Sequence, residues 1–171
     1  MMDFKSKIRT VDDFPKPGIS FKDITTLLKD GEAFHAAIET MAAHFEPLGI
    51  NMVTGPEARG YIFASALAFR LRAGFVPIRK PGKLPWKTRS ISYQLEYGED
   101  RLEVHEDAFQ PGQKVLVVDD LLATGGTIRA TIDLVESLGA KVVGVAVLIE
   151  LSDLGGRKRL EGHDVISLVQ F

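Results

Sequence analysis

The segment Val115-Leu116-Val117-Val118-Asp119-Asp120-Leu121-Leu122-Ala123-Thr124-Gly125-Gly126-Thr127 constrains this chain more than any other. Four apolar β-formers over Lys114–Val118 run into two adjacent carboxylates and then a loop of small residues. Beyond the loop, Ile128, Ile132, Val135 and Leu138 recur at helical spacing, so a helix is expected through about Leu138. A continuous apolar strand that feeds a loop and a helix belongs to a parallel sheet covered on both faces. From Ala123 to Thr127 the loop offers successive backbone N–H groups and two hydroxyls, with no bulky side chain in the way. At a helix N-terminus that is a cradle for a terminal phosphate. Carboxylates beside a phosphate repel it unless they bind hydroxyls or a cation. Asp119 and Asp120 therefore suit the 2′- and 3′-hydroxyls of a ribose phosphate, with substrate-bound magnesium easing the charge. An ordinary strand–turn–helix accounts for the glycines but not for two acids ending a buried strand. No lysine follows the glycines as a Walker loop requires, and the dinucleotide G-x-G-x-x-G spacing is absent.

The remaining elements alternate in the same sense. Asp30 can cap a helix over Glu32–Glu46, where Phe34, Ile38, Met41 and Phe45 recur at helical spacing. Ile50–Thr54 reads as a strand, Tyr61–Arg72 as a helix and Phe75–Ile78 as a strand. Ser90–Leu95 and Arg101–His105 read as a pair across the turn-like Tyr97-Gly98-Glu99-Asp100. Lys141–Ile149 reads as a central parallel strand and Asp164–Val169 as a last, edge strand. The first forty-odd residues read as helical with one break at Phe14-Pro15-Lys16-Pro17-Gly18. The expected fold class is α/β, a mostly parallel sheet flanked by helices, whose ligands bind outside the carboxyl ends of the strands.

Composition narrows the function classes. The chain has 171 residues, enough to bury roughly 69% of its surface in one domain. Its formal net charge of −2 argues against a nucleic-acid binder working by bulk charge. No cysteine is present, which removes thiolate nucleophiles and zinc–sulfur sites and leaves a reducing compartment open. His35, His44, His105 and His163 stand too far apart for metal-ligand spacing. The N-terminus has no apolar core of a signal peptide, and no apolar run nears the ~20 residues that cross a bilayer. Local charge says more than the total. Arg79 to Arg89 holds five basic residues and no acid, broken by Pro81, Gly82 and Pro85. In isolation this is a solvated basic loop; inside a compact domain, a long loop of this kind is often an active-site lid.

The phosphate segment resembles the phosphoribosyl-diphosphate motif of the type I phosphoribosyltransferases, and four further stretches, in chain order, resemble their adenine-specific branch. Phe14-Pro15-Lys16-Pro17-Gly18-Ile19-Ser20-Phe21-Lys22-Asp23-Ile24 is similar to its N-terminal signature. Gly55-Pro56-Glu57-Ala58-Arg59-Gly60 is similar to its diphosphate loop. Ile78-Arg79-Lys80-Pro81-Gly82-Lys83-Leu84-Pro85 and Leu95-Glu96-Tyr97-Gly98 are similar to the two ends of its catalytic loop. The resemblance implies one phosphoribosyltransferase domain over residues 1–171. Residues 1 to about 30 would form a small hood, and about 80–98 a flexible loop. It implies a magnesium-dependent transfer between adenine and phosphoribosyl diphosphate, in a cytoplasmic homodimer with no nucleic-acid or membrane partner.

Site roles follow from the same resemblance. Ala123, Thr124, Gly125, Gly126 and Thr127 would hold the 5′-phosphate, and Asp119 and Asp120 the ribose hydroxyls. Ala58 and Arg59 would meet the diphosphate, with a surface arginine on a strand–helix loop as the equal alternative. Arg79, Lys80 and Lys83 would neutralise the leaving diphosphate, whereas Lys87 and Arg89 read as solvated. Glu96 is the candidate acid/base for the N9 proton, singled out by the resemblance alone among Glu99, Asp100, Glu103, Glu106 and Asp107. Ser20, Phe21 and Lys22 would meet adenine, with Phe21 either on the purine or in the core. Ser20 stands where some relatives carry an apolar residue. Two other readings compete: transfer to another purine, and a phosphoribosyl-diphosphate-sensing regulator. About a dozen residues precede Phe14, too few for the DNA-binding extension such a regulator carries.

Overall fold

The computed structural model describes residues 2–94 and 98–171. In chain order the strands are β1 (Arg9–Val11), β2 (Phe21–Asp23), β3 (Met52–Pro56), β4 (Gly74–Ile78), β5 (Thr88–Gln94), β6 (Glu99–His105), β7 (Lys114–Leu122), β8 (Lys141–Glu150) and β9 (Val165–Gln170). The helices are α1 (Thr25–Leu28), α2 (Gly31–Phe45), α3 (Arg59–Leu71) and α4 (Gly126–Ser137). Five strands form a parallel sheet in the order β4-β3-β7-β8-β9.

β7 shows why its sequence is apolar without alternation. Leu116 and Val118 pack into the cluster under α2 and α3, with Met41, Phe45, Phe63 and Leu67. Val115 and Val117 face the other way, into the cluster beneath α4 and the β5–β6 hairpin, with Ile128, Ile132, Leu102 and Val104. Both faces of the strand are covered, so period-2 patterning disappears. α2 starts where expected, because Asp30 accepts a 3.1 Å hydrogen bond from the Ala33 N–H.

The chain leaves β3 outward to β4, returns through the hairpin, enters β7 on the other side of β3, and then winds outward to β8 and β9. The topological switch point therefore lies between β3 and β7, and the loops at their carboxyl ends face a common crevice. Those loops are Glu57–Ala58 and Ala123–Gly125.

Three expectations need correction. The N-terminal stretch is not helical before α1: apart from one 3-10 turn, it is a small antiparallel pair with Val11 opposite Phe21 and Arg9 opposite Asp23. The apolar strand does not stop at Val118 but continues to Leu122, because β8 keeps pairing with it (Asp119 opposite Val147, Leu122 opposite Glu150). β8 is an interior strand but not the middle one, which is β7. The basic stretch is flanked by regular backbone pairing. Arg79 bridges to Glu103 through paired backbone hydrogen bonds of 3.0 and 2.8 Å, and Thr88 already begins β5.

Candidate active site

The Ala123–Thr127 loop is shaped by backbone constraints. Gly125 has φ +81°, a left-handed conformation open to glycine at little cost. A β-carbon on Gly125 would also stand 2.6 Å from the Gly156 carbonyl oxygen, so the Gly155-Gly156 segment lies directly behind the loop. No acidic residue occupies the first turn of α4, which leaves its N–H groups free to face an anion. Above them is a cavity of about 180 Å³ lined by Arg59, Asp119, Leu121 and Ala123–Ile128.

Asp119 lines that cavity and Asp120 follows it in the chain; both are buried, at 9% and 4% exposure. Asp119 Oδ1 accepts the Asp120 N–H at 2.8 Å. Burial pushes both carboxyls above their ordinary range. Asp120 beside it drives Asp119 up further, and for Asp120 the Arg59 guanidinium works against the rise. Gly60 allows α3 to approach closely, since a β-carbon there would meet Asp119 Oδ1 at 3.0 Å.

Arg59 joins two of the expected subsites. Its Nε is 2.9 Å from Asp120 Oδ2, and its guanidinium carbon lies 5.2 Å from the centroid of the Phe21 ring. The fork assigned to the diphosphate from sequence thus sits on the side of Asp120 and the β1–β2 pair. Phe21 is held edge-on by Phe14 at 5.2 Å. Ser20 and Lys22 turn elsewhere. The Lys22 ammonium donates to Thr10 Oγ1 at 3.1 Å and Ser20 Oγ at 3.3 Å, and lies 4.3 Å from the Phe171 ring centroid.

Across the crevice, Glu57 organises the basic residues. Its carboxylate accepts from Arg79 Nε (3.1 Å) and Nη2 (2.8 Å) and from the Lys80 N–H (2.7 Å). Burial pulls Glu57 upward, but these donors outweigh it and hold the carboxyl below its ordinary range; Glu57 in turn raises Arg79. Arg79 Nη1 also donates to the Lys83 carbonyl at 3.1 Å. The Glu57–Ala58 peptide is cis, and Ala58 precedes the first turn of α3. Lys80 Nζ is paired with Asp100. Glu96, the expected acid/base residue, lies outside the described residues. Sequence reading did not single out Glu57, Tyr93, Asp100 or Gly156. Glu57 lay within a recognised motif, and its acid between two strand–helix elements was the available signal.

Residues 11–169 match the family model of the phosphoribosyl transferase domain. The chain belongs to this family. An adenine phosphoribosyltransferase of Desulfitobacterium hafniense (strain Y51) is 58% identical over 170 residues, which cover 99% of this chain and 98% of the relative. The crystal structure of the adenine phosphoribosyltransferase from Thermoanaerobacter pseudethanolicus superposes with TM-score 0.94 at 56% identity, covering 98% of this chain and 97% of that one. The Saccharomyces cerevisiae enzyme, solved with an imino-altritol bisphosphate and adenine, gives TM-score 0.91 at 36% identity over 96% of each chain. Within this family frame, the two crevice loops and the buried acid pair stand together at the switch point.

Proposed function

We infer that this protein transfers the 5-phosphoribosyl group of 5-phospho-α-D-ribose 1-diphosphate to adenine, giving AMP and diphosphate, a purine-salvage reaction. The observation that carries the reading is the placing of Asp119 and Asp120 between the α4 phosphate loop and Arg59, which itself touches Phe21. Phosphate, ribose and base subsites then follow one another in the order of atoms along AMP.

In this reading the N–H groups of Ala123–Thr127 hold the 5′-phosphate, and Asp119 and Asp120 accept the ribose hydroxyls. Those carboxylates are buried beside each other, so partners that donate or carry positive charge are favoured there. The donor set also fits magnesium. Two adjacent carboxylates suit an ion that brings most of its oxygen ligands from the diphosphate and water, and among the described residues no cluster of three or more ligating side chains competes for it. When bound, magnesium neutralises diphosphate charge. Arg79, Lys80 and Lys83 face the charge that grows on the leaving group, which stabilises the transition state more than the bound substrate. Ala58 lends its backbone to the same subsite. Adenine lies against the Phe21 side of Arg59 and meets the backbone of Ser20, Phe21 and Lys22, and Glu96 takes the proton that leaves N9 as N9 bonds to the anomeric carbon.

Residues 1 to about 30 act as the hood over the base and about 80–98 as the closing loop of a single domain. A cytoplasmic homodimer is the working form. Apolar surface on α2 and α3 supports it, with Phe69 89% exposed beside Phe34, Ile38 and Ala66. No helix among the described residues is long and apolar enough to cross a membrane.

Diphosphate release measured with adenine, hypoxanthine, guanine and xanthine tests the reading. Turnover with adenine far above the others is expected. Equal turnover of hypoxanthine would overturn the base assignment, and no release with any base would overturn the transfer itself.

A further inference from the structure

Two of the three cations assigned to the leaving diphosphate, Arg79 and Lys80, already have an internal acidic partner, and the two pairings are built differently. Arg79 is bound through two nitrogens to Glu57, a residue of the β3–α3 loop whose side chain is only 18% exposed. Both ends of that pair are anchored at the strand termini. Lys80 instead reaches across to Asp100, which stands on β6 opposite Tyr93 of β5. The Tyr93 hydroxyl donates to the same oxygen, Asp100 Oδ2, at 3.1 Å, and Thr127 Oγ1 donates to the Tyr93 hydroxyl at 3.3 Å. A directed chain thus runs from Thr127 in the phosphate loop through Tyr93 to Asp100, where it meets the Lys80 ammonium. Its two ends are the groups that the proposed reaction needs for the 5′-phosphate and the diphosphate. Asp100 is a poor neighbour for a polyanion, because its charge opposes the ligand that Lys80 is there to attract.

We propose that Asp100 is an exchangeable counter-ion, a stand-in for the diphosphate that holds Lys80 and Tyr93 in the substrate-free protein and yields Lys80 when diphosphate binds. The proposal rests on the assignment of Lys80 to the diphosphate. Asp100 is well suited to the task. Burial alone would raise its carboxyl, but Lys80, the Arg101 N–H and the Tyr93 hydroxyl outweigh burial and keep it ionised. The Arg101 N–H and Tyr93 remain as its donors once Lys80 has left, so Asp100 is not stranded. The pair is also partly open to water, with side-chain exposures of 43% and 25%, which lowers the cost of separating it. An exchange of this kind keeps Lys80 aimed into the crevice without a substrate and limits how tightly product diphosphate is retained.

Calorimetric titration of inorganic diphosphate with magnesium into the full-length protein tests the exchange. Asp100→Asn keeps the acceptor for Arg101 and removes the charge, so diphosphate should bind about threefold to fivefold tighter. Its inhibition of the forward reaction should strengthen by the same factor. Lys80→Met should weaken binding, and adding Asp100→Asn to Lys80→Met should bring no gain. Glu99→Gln removes the same charge one residue away, from an exposed position, and should leave binding near wild type. Asp100→Ser serves if the asparagine variant fails to give a wild-type unfolding curve. Unchanged or weaker binding in the Asp100 variants overturns the proposal, as does an equal gain in Glu99→Gln or a gain that persists without Lys80. If Lys80→Met leaves diphosphate binding intact, the Lys80 assignment fails and the counter-ion role fails with it.

Discussion

Gly125→Ala should damage both the fold and the 5′-phosphate subsite, and the two effects can be separated. An L-residue in the left-handed conformation costs ~1–2 kcal/mol, and Gly125 has φ +81°. The new methyl would also stand 2.6 Å from the Gly156 carbonyl oxygen, whereas ordinary contact begins near 3.4 Å. The phosphate loop or the segment behind it must shift, and a misplacement of ~1 Å at a positioning group costs ~10²-fold in rate. We expect a loss of about 2–4 kcal/mol in urea unfolding and about 10²-fold in kcat/KM for phosphoribosyl diphosphate. Two controls divide the contributions. Gly162 has φ +90° with nothing within 4 Å of an added β-carbon, so Gly162→Ala should lose the conformational part and keep wild-type turnover. In Gly156→Ala the methyl would collide with the Ala123 carbonyl oxygen from behind, with no positive φ to violate, so it should lose ribose 5-phosphate affinity in a titration. Wild-type ribose 5-phosphate binding by Gly156→Ala would refute the idea that the Gly155-Gly156 backbone sets the loop.

Asp119→Asn should cost about 1.5–3 kcal/mol of phosphoribosyl-diphosphate affinity. It should also raise the ligand-free melting temperature at neutral pH, because a carboxyl raised by burial loses stability as pH rises through its folded-state pKa. A melting temperature at or below wild type would refute that account. Glu150 behaves oppositely: Arg157 first, against burial, and then Ser167 hold it below its ordinary value. Glu150→Gln should therefore be less stable than wild type by about 1–3 kcal/mol at pH 7, and the gap should close as pH falls below 4.5 toward the lowered folded-state value, followed by denaturant unfolding across that range. Adenine should be preferred to hypoxanthine by at least about 30-fold in kcat/KM, since a site pairing the 6-amino group and N1 meets a 6-oxopurine with two mismatches. Ser20→Ala should leave that ratio unchanged in a competition assay.

Elements whose logic is local were legible in the sequence. Asp30 three residues before Ala33, followed by an apolar face, suffices to place α2, and continuous burial marks β7 and β8. The sequence of the β1–β2 pair does not declare a hairpin, because its strands are three residues each, too short for alternation to register, and are joined across the Phe14–Gly18 turn. The end of β7 is not legible in its own sequence for a related reason. Asp119 and Asp120 look like a strand terminus, yet pairing to β8 carries the backbone four residues further, and only the neighbouring strand supplies that information.

The same division runs through the site. The Ala123–Thr127 loop is built from its own backbone and a helix end, so the phosphate chemistry proposed for it is legible in local sequence. That of the basic residues is not, because their state depends on partners 22 positions away, for Glu57 and Arg79, and 20 positions away, for Lys80 and Asp100. Read in isolation, Arg79–Arg89 is a run of free cations; folded, its first two members are charge-compensated. That difference bears on mechanism. Free cations crowded at a strand end repel one another and favour anions of any shape. A cation that must leave its partner to accept an anion, as proposed for Lys80 and Asp100, favours a ligand that engages several groups together, with phosphate at one end and diphosphate at the other.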